Sequence, residues 1–168
     1  MRHSKVSLIG FMGSGKSSVA PPLATRLGFA HVDLDTLVVH QSGGSSIPEI
    51  FRAVGEPAFR DLESSIAQSV AAMQGVVIST GGGIIGRPEN MVSLKTNGGI
   101  CVLLDASFEE LMRRIPNASE RPLLQDPDRA KELYSLRQPL YRTYADITIP
   151  TEGRTIEEIC SEIVSRLG

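Results

Sequence analysis

A chain of 168 residues fits one domain, long enough to bury about 70% of the surface its unfolded form exposes. A formal net charge of −2, from 17 Lys+Arg against 19 Asp+Glu, argues against bulk nucleic-acid binding, although clustered arginines can still serve a small phosphate ligand. With 41% hydrophobic and 21% charged residues, no apolar run approaches the ~20 residues of a membrane span.

The first apolar run, VSLIG at 6–10, is short and β-branched, so it reads as a buried strand. GFMGSGKS, Gly10 to Ser17, follows it and leads into a helix expected at 16–27. Glycines at 10, 13 and 15 free the backbone to turn successive N–H groups inward around a phosphate, and the helix N-terminus adds its positive end. Lys16 can reach the outer phosphates and the Ser17 hydroxyl can hold magnesium, so Gly13, Ser14, Gly15, Lys16, Ser17 and Ser18 are the expected nucleotide-binding residues. Pro21 and Pro22 fall inside this helix, where a kink is expected, since an interior proline costs about 3 kcal/mol.

The second strand, FAHVD at 29–33, ends in Asp33-Leu34-Asp35. In extended backbone both carboxylates face one side, where one could support magnesium and the other meet an acceptor hydroxyl; the plainer reading is a pair of acids capping the next helix. Helices are expected at 34–42, 46–54 and 57–73, with Met73 on an apolar stripe, and Pro57 suits a helix start. After the strand VVIST at 76–80 come three consecutive glycines, 81 to 83, which point to close ligand contact with main chain.

A helix at 88–96, the strand ICVLLD at 100–105 and a helix at 107–115 follow; Asp105 superficially fits the strand-end acid of a large ATPase, but the favoured reading is a helix-start residue. Residues 115–129 mix proline, asparagine and serine and read as a mobile loop. A helix at 127–143, the strand DITIP at 146–150 and a helix at 155–167 complete the chain. This alternation means an α/β fold with a parallel sheet. Cys101 and Cys160 form no Cys-x-x-Cys pair and read as buried thiols of a reducing compartment; the N-terminus does not resemble a signal peptide, so a cytoplasmic protein is expected. The three histidines have no ligand spacing, so any metal should arrive with the nucleotide.

No Asn-Lys-x-Asp segment is present to read guanine, and the chain is short for a mechanical ATPase. The phosphate loop, the Asp-x-Asp strand end, GEPAFR at 55–60 with Glu63 beyond, the triple glycine, RPLL at 121–124 and RQPLYR at 137–142 occur in an order that resembles the shikimate kinase family. The resemblance covers most of the chain, to about Tyr144. It implies a single-domain phosphate-loop kinase fold with a five-stranded parallel sheet in the order 2-3-1-4-5, substrate-binding helices at about 34–62 and a mobile lid at about 115–127. It also implies that MgATP phosphorylates the 3-hydroxyl of shikimate, with Asp35 engaging the acceptor diol and Arg60 and Arg137 gripping its carboxylate. Backbone at Gly81, Gly82 and Gly83 lines that pocket, Asp33 holds Mg2+ through water beside Ser17, and Lys16 and Arg121 neutralise the moving phosphoryl group. Arg114 and Arg154 contact adenine.

A carboxylate-bearing triol needs paired, bidentate cations, which arginines at 60 and 137 can supply. A nucleobase acceptor would favour an aromatic slot, and the chain has no Trp and 5% aromatics. Each arginine could also be structural, Arg60 pairing with Glu63 along one helix face. A sister kinase for another polyol acid such as gluconate, or a non-catalytic nucleotide-binding protein, are the alternative readings. The expected partners are ATP and one small acid, with no nucleic acid, no membrane and a monomeric protein.

Overall fold

Strand β1 (Lys5–Ile9) is buried along its whole length and lies between β3 (Val76–Ser79) and β4 (Gly99–Asp105), with β2 (Ala30–Asp33) and β5 (Ile147–Pro150) at the edges. All pairings are parallel, and the order β2-β3-β1-β4-β5 is the expected one. The computed structural model describes residues 3–116 and 125–168. Arg121 and most of the expected lid therefore lie outside the described residues.

Eight helices are found among the described residues: α1 (Lys16–Leu27), α2 (Leu34–Gln41), α3 (Ile47–Val54), α4 (Glu56–Ser69), α5 (Pro88–Lys95), α6 (Phe108–Arg114), α7 (Pro127–Tyr144) and α8 (Ile156–Leu167). Both faces of the sheet are covered, as parallel strands require. Ile9, Ile78, Cys101 and Leu103 point into one apolar layer, closed by residues such as Leu34, Phe59 and Met91 from α2, α4 and α5. Their neighbours Leu8, Val77, Val102 and Leu104 point the other way, against Val19 and Leu23 of α1 and Ile159 and Ile163 of α8. This sandwich fixes the end of β1, and with it the turn into α1. No helix among the described residues is long and apolar enough to cross a membrane.

Four local expectations need correction. Helix α1 continues through Pro21 and Pro22 as one element; Pro21 is exposed and Pro22 half-buried, so neither ring is forced into the core. Helix α4 ends at Ser69: the N–H groups of Ala71 and Met73 turn to the carbonyls of Gln68 and Val70, three residues back, and the fully buried Lys5 donates to the carbonyls of Ala71 at 2.6 Å and Val70 at 3.4 Å just beyond the helix. Met73 thus sits beyond the helix and is 38% exposed. Asp105 does not start α6; Ser107 does, accepting from the Glu110 N–H, while Asp105 accepts from Gln138 at 2.9 Å. Asp35 is not in extended backbone, since β2 stops at Asp33 and Asp35 lies in the first turn of α2.

Candidate active site

The turn from β1 to α1 takes positive φ at Gly10, Gly13 and Gly15, and Gly15 is the left-handed N-cap of α1. Side chains are also excluded sterically: a methyl on Gly10 would lie 2.8 Å from the Leu104 carbonyl, and one on Gly13 2.9 Å from that of Leu111. Lys16 is buried, and its ammonium donates to the carbonyls of Gly10 at 2.6 Å and Phe11 at 3.0 Å and to Ser14 Oγ at 3.3 Å. The loop is thus already wrapped around a positive charge.

Asp33 caps the next helix and also faces the phosphate loop. Its Oδ1 caps α2, accepting from the Thr36 N–H at 2.9 Å, while Oδ2 accepts from Ser17 at 3.5 Å and from Ser79 at 2.7 Å. Ser79 Oγ is in turn 3.1 Å from His31 Nε2. A carboxylate and a hydroxyl are hard oxygen donors of the kind Mg2+ accepts when water and phosphate supply its other ligands, so these residues fit that ion.

The three glycines after β3 each make room for a different charged group. A methyl on Gly81 would lie 3.0 Å from Asp35 Oδ1, one on Gly82 3.4 Å from Arg137 Nη1, and one on Gly83 2.7 Å from Arg60 Cζ. Asp35, Arg60 and Arg137, from α2, α4 and α7, therefore converge on one turn beside the phosphate loop. Arg60 and Arg137 line a cleft of about 300 Å³, with Ile85, Leu136 and Leu140 among its other walls.

Arg60 is bonded to Glu63 Oε2 at 2.7 Å and lies 3.6 Å from Glu56. The expected structural pairing is real, and it holds the guanidinium in the cleft rather than away from it. Glu63 is 5% exposed and its Oε1 has no hydrogen-bond partner. Burial raises its pKa, with Arg60 pulling the other way. The pairing with Arg60 is the expected one, but the burial of Glu63 is not read from the sequence, although it sits four residues after Phe59 and three before Ile66, on the buried face of α4, where a lone acid is a signal. Tyr141, wholly buried one turn after Arg137 on α7, was also missed as a site residue.

On the other side of the loop a second cleft, of about 430 Å³, is lined by residues that include Ser14, Gly15, Ser18, Arg114, Thr151 and Arg154. Arg114 is held by Glu110 at 2.9 Å and by the Thr151 hydroxyl at 3.0 Å, so its guanidinium is fixed at the wall. Arg154 is anchored by Glu162 and by the Pro150 carbonyl. The two expected base-contacting arginines thus share this cleft with the first turn of α1.

The family model described as shikimate kinase matches residues 12–168. A shikimate kinase of Geobacter metallireducens is 43% identical over 96% of this chain and 90% of its own. Among solved structures, shikimate kinase from Acinetobacter baumannii in complex with shikimate aligns with a TM-score of 0.90 and 32% identity, covering 98% of this chain and 93% of that one. Shikimate kinase from Aquifex aeolicus aligns at 0.85 with 38% identity, covering 97% and 95%.

Proposed function

The chain belongs to the shikimate kinase family, and from that premise we propose how its own residues carry the phosphorylation of shikimate by ATP. The protein is an ATP-dependent kinase acting on shikimate. The observation that supports the residue roles best is the turn at Gly81 to Gly83, which gathers one carboxylate and two guanidiniums beside the phosphate loop.

ATP lies along Gly13 to Ser18 with its base between Arg114 and Arg154, and Lys16 exchanges loop carbonyls for phosphate oxygens. Shikimate enters the cleft with its carboxylate on Arg60 and Arg137. Asp35 then holds the diol so that the 3-hydroxyl lies in line with the γ-phosphorus, and takes up its proton as the new P–O bond forms and the bond to ADP breaks. Phosphoryl transfer asks mainly for positioning and for spread cationic charge, which Lys16 and Arg121 supply. Mg2+ held near Ser17 and Asp33 would neutralise charge on the phosphates. Helices within about 34–62 act as the substrate-binding part of a single domain, the segment at about 115–127 as its lid, and the protein works as a cytoplasmic monomer.

The test is ADP release measured with and without shikimate, with the product identified by mass and gluconate run as a competing acceptor. A shikimate-dependent rate with a monophosphorylated product supports the assignment. A higher rate with gluconate, or ATP binding with no product, would replace it.

A further inference from the structure

Arg60 and Arg137 face the same cleft but are held by different chemistry. Arg60 is pinned by the carboxylates of Glu63 and Glu56, whereas among the described residues no salt bridge is made by Arg137, on which Glu63 acts only through its field. What lies beside Arg137 is the phenol of Tyr141. A methyl on Gly82 would be 3.4 Å from Arg137 Nη1 and 3.5 Å from the Tyr141 oxygen, so both groups cover one glycine. The Tyr141 hydroxyl donates its one proton to the Gly82 carbonyl at 2.5 Å, which leaves its lone pairs to accept. Burial pushes this phenol up to about 12, against the opposing effect of Arg137, so it stays a neutral group at any working pH.

We propose that Tyr141 is a positioning residue for the acceptor carboxylate: its hydroxyl, locked on the Gly82 carbonyl, accepts from the Arg137 guanidinium and holds it in the cleft without neutralising it. A carboxylate in the same place would fix the arginine equally well but, added to Glu56 and Glu63 already on Arg60, would leave the cleft short of positive charge for the ligand. A neutral acceptor fixes the geometry and leaves the potential. The side chain thus prepares half of the carboxylate grip before shikimate arrives, and it ties that grip to the glycine turn. This inference rests on the shikimate reading above.

The experiment is Tyr141→Phe, which keeps the ring in the core and removes only the hydroxyl. The KM for shikimate is expected to rise about three- to tenfold, the size of one hydrogen bond, with kcat and the KM for ATP within about twofold of the wild type. In an Arg137→Ala background the same change should have no further effect on shikimate KM. An unchanged KM in the single variant, or full additivity in the double, overturns the proposal and leaves Tyr141 a packing residue. Should the variant fail to fold, the wild-type enzyme decides by NMR. A narrow Arg137 side-chain N–H resonance in the ligand-free protein, assigned by its loss in Arg137→Ala, is the expected result, and a signal averaged like that of a solvated arginine overturns it. Wild-type protein inactive toward shikimate but with that ordered resonance would instead sink the substrate reading while leaving the Tyr141 contact intact.

Discussion

The guanidinium of Arg60 lies against the backbone of Gly83 so closely that a methyl at that glycine would sit 2.7 Å from Cζ and 2.8 Å from Nη2. Gly83 has ordinary negative φ, so alanine there is not strained in its backbone; the obstacle is the arginine. Gly83→Ala must therefore push Arg60 off its place. Charge-assisted hydrogen bonds contribute about 1.5–3 kcal/mol each, so the KM for shikimate should rise roughly ten- to a hundredfold while the KM for ATP stays put. Gly82→Ala, whose methyl would make ordinary contacts of 3.4 and 3.5 Å, should be milder. Initial-rate kinetics with each substrate varied will check the ranking.

Asp33 caps α2 and lies beside Ser17, and two substitutions separate the capping from the proposed metal role. Asparagine caps a helix about as well as aspartate, so Asp33→Asn should keep the bond from Thr36 while losing the charge beside Ser17 and turning the acceptor that faces Ser79 into a donor, which the Ser79 hydroxyl can meet by accepting from it and donating to His31. Half-saturating Mg2+ should rise about ten- to a hundredfold with little change in Tm. Asp33→Ala should show the same metal defect and also lose about 1 kcal/mol, or about 2–4 °C in Tm. Equal Tm for the two variants would remove the capping role.

What could be read in the sequence follows from where the constraint lies. The phosphate loop is legible because cradling an anion with main chain demands glycine at fixed intervals, and each strand is legible because a parallel sheet buried on both faces needs short β-branched runs. The joint placement of Asp35, Arg60 and Arg137 is legible only through the family resemblance, since three helices bring them together. Alternation misplaces Asp35, because it holds only while backbone stays extended, and the Asp33 side chain caps α2 at that point. Pairing within α4 was foreseen for Arg60, yet spacing alone could not say that Glu63 aims it into the cleft. Glu110 holds Arg114 at an i,i+4 spacing that the sequence does carry, whereas Thr151, on a different element, joins them through packing that no local spacing encodes.

Glu63 gives a pH signature whose sign is fixed by its burial. Its folded-state pKa is raised, first by desolvation and then against the pull of Arg60, so folding favours its protonated form. The stability this confers is complete below the unfolded value of about 4.5 and is lost as pH rises through the folded value. Glu63→Gln carries no such proton. The stability of the wild type relative to Glu63→Gln should therefore decline from acid toward neutral pH, measured by urea unfolding at a series of pH values. At neutral pH the variant should also show a raised shikimate KM, because Arg60 has lost the carboxylate that pins it. A wild-type advantage that grows with pH would contradict the raised pKa.

Pro21 and Pro22 offer the last test, because they sit in α1 without breaking it. Neither can donate to the carbonyl four residues back, so the carbonyls of Ser17 and Ser18 lose their usual helical partners, and an interior proline is about 3 kcal/mol worse than alanine. Part of that cost is offset because proline also restricts the unfolded chain, by roughly 0.4–1 kcal/mol. The apolar stripe of Val19, Ala20, Leu23, Ala24 and Leu27 anchors the helix to the sheet and lets it tolerate the pair. Pro21→Ala, at the exposed position, should therefore stabilise the protein by about 1–2 kcal/mol, a gain of several degrees in Tm. Since Gly15 to Ser18 precede the prolines, the KM for ATP should not move. A Tm that falls in Pro21→Ala would mean that the proline relieves a conflict in α1 instead of creating one.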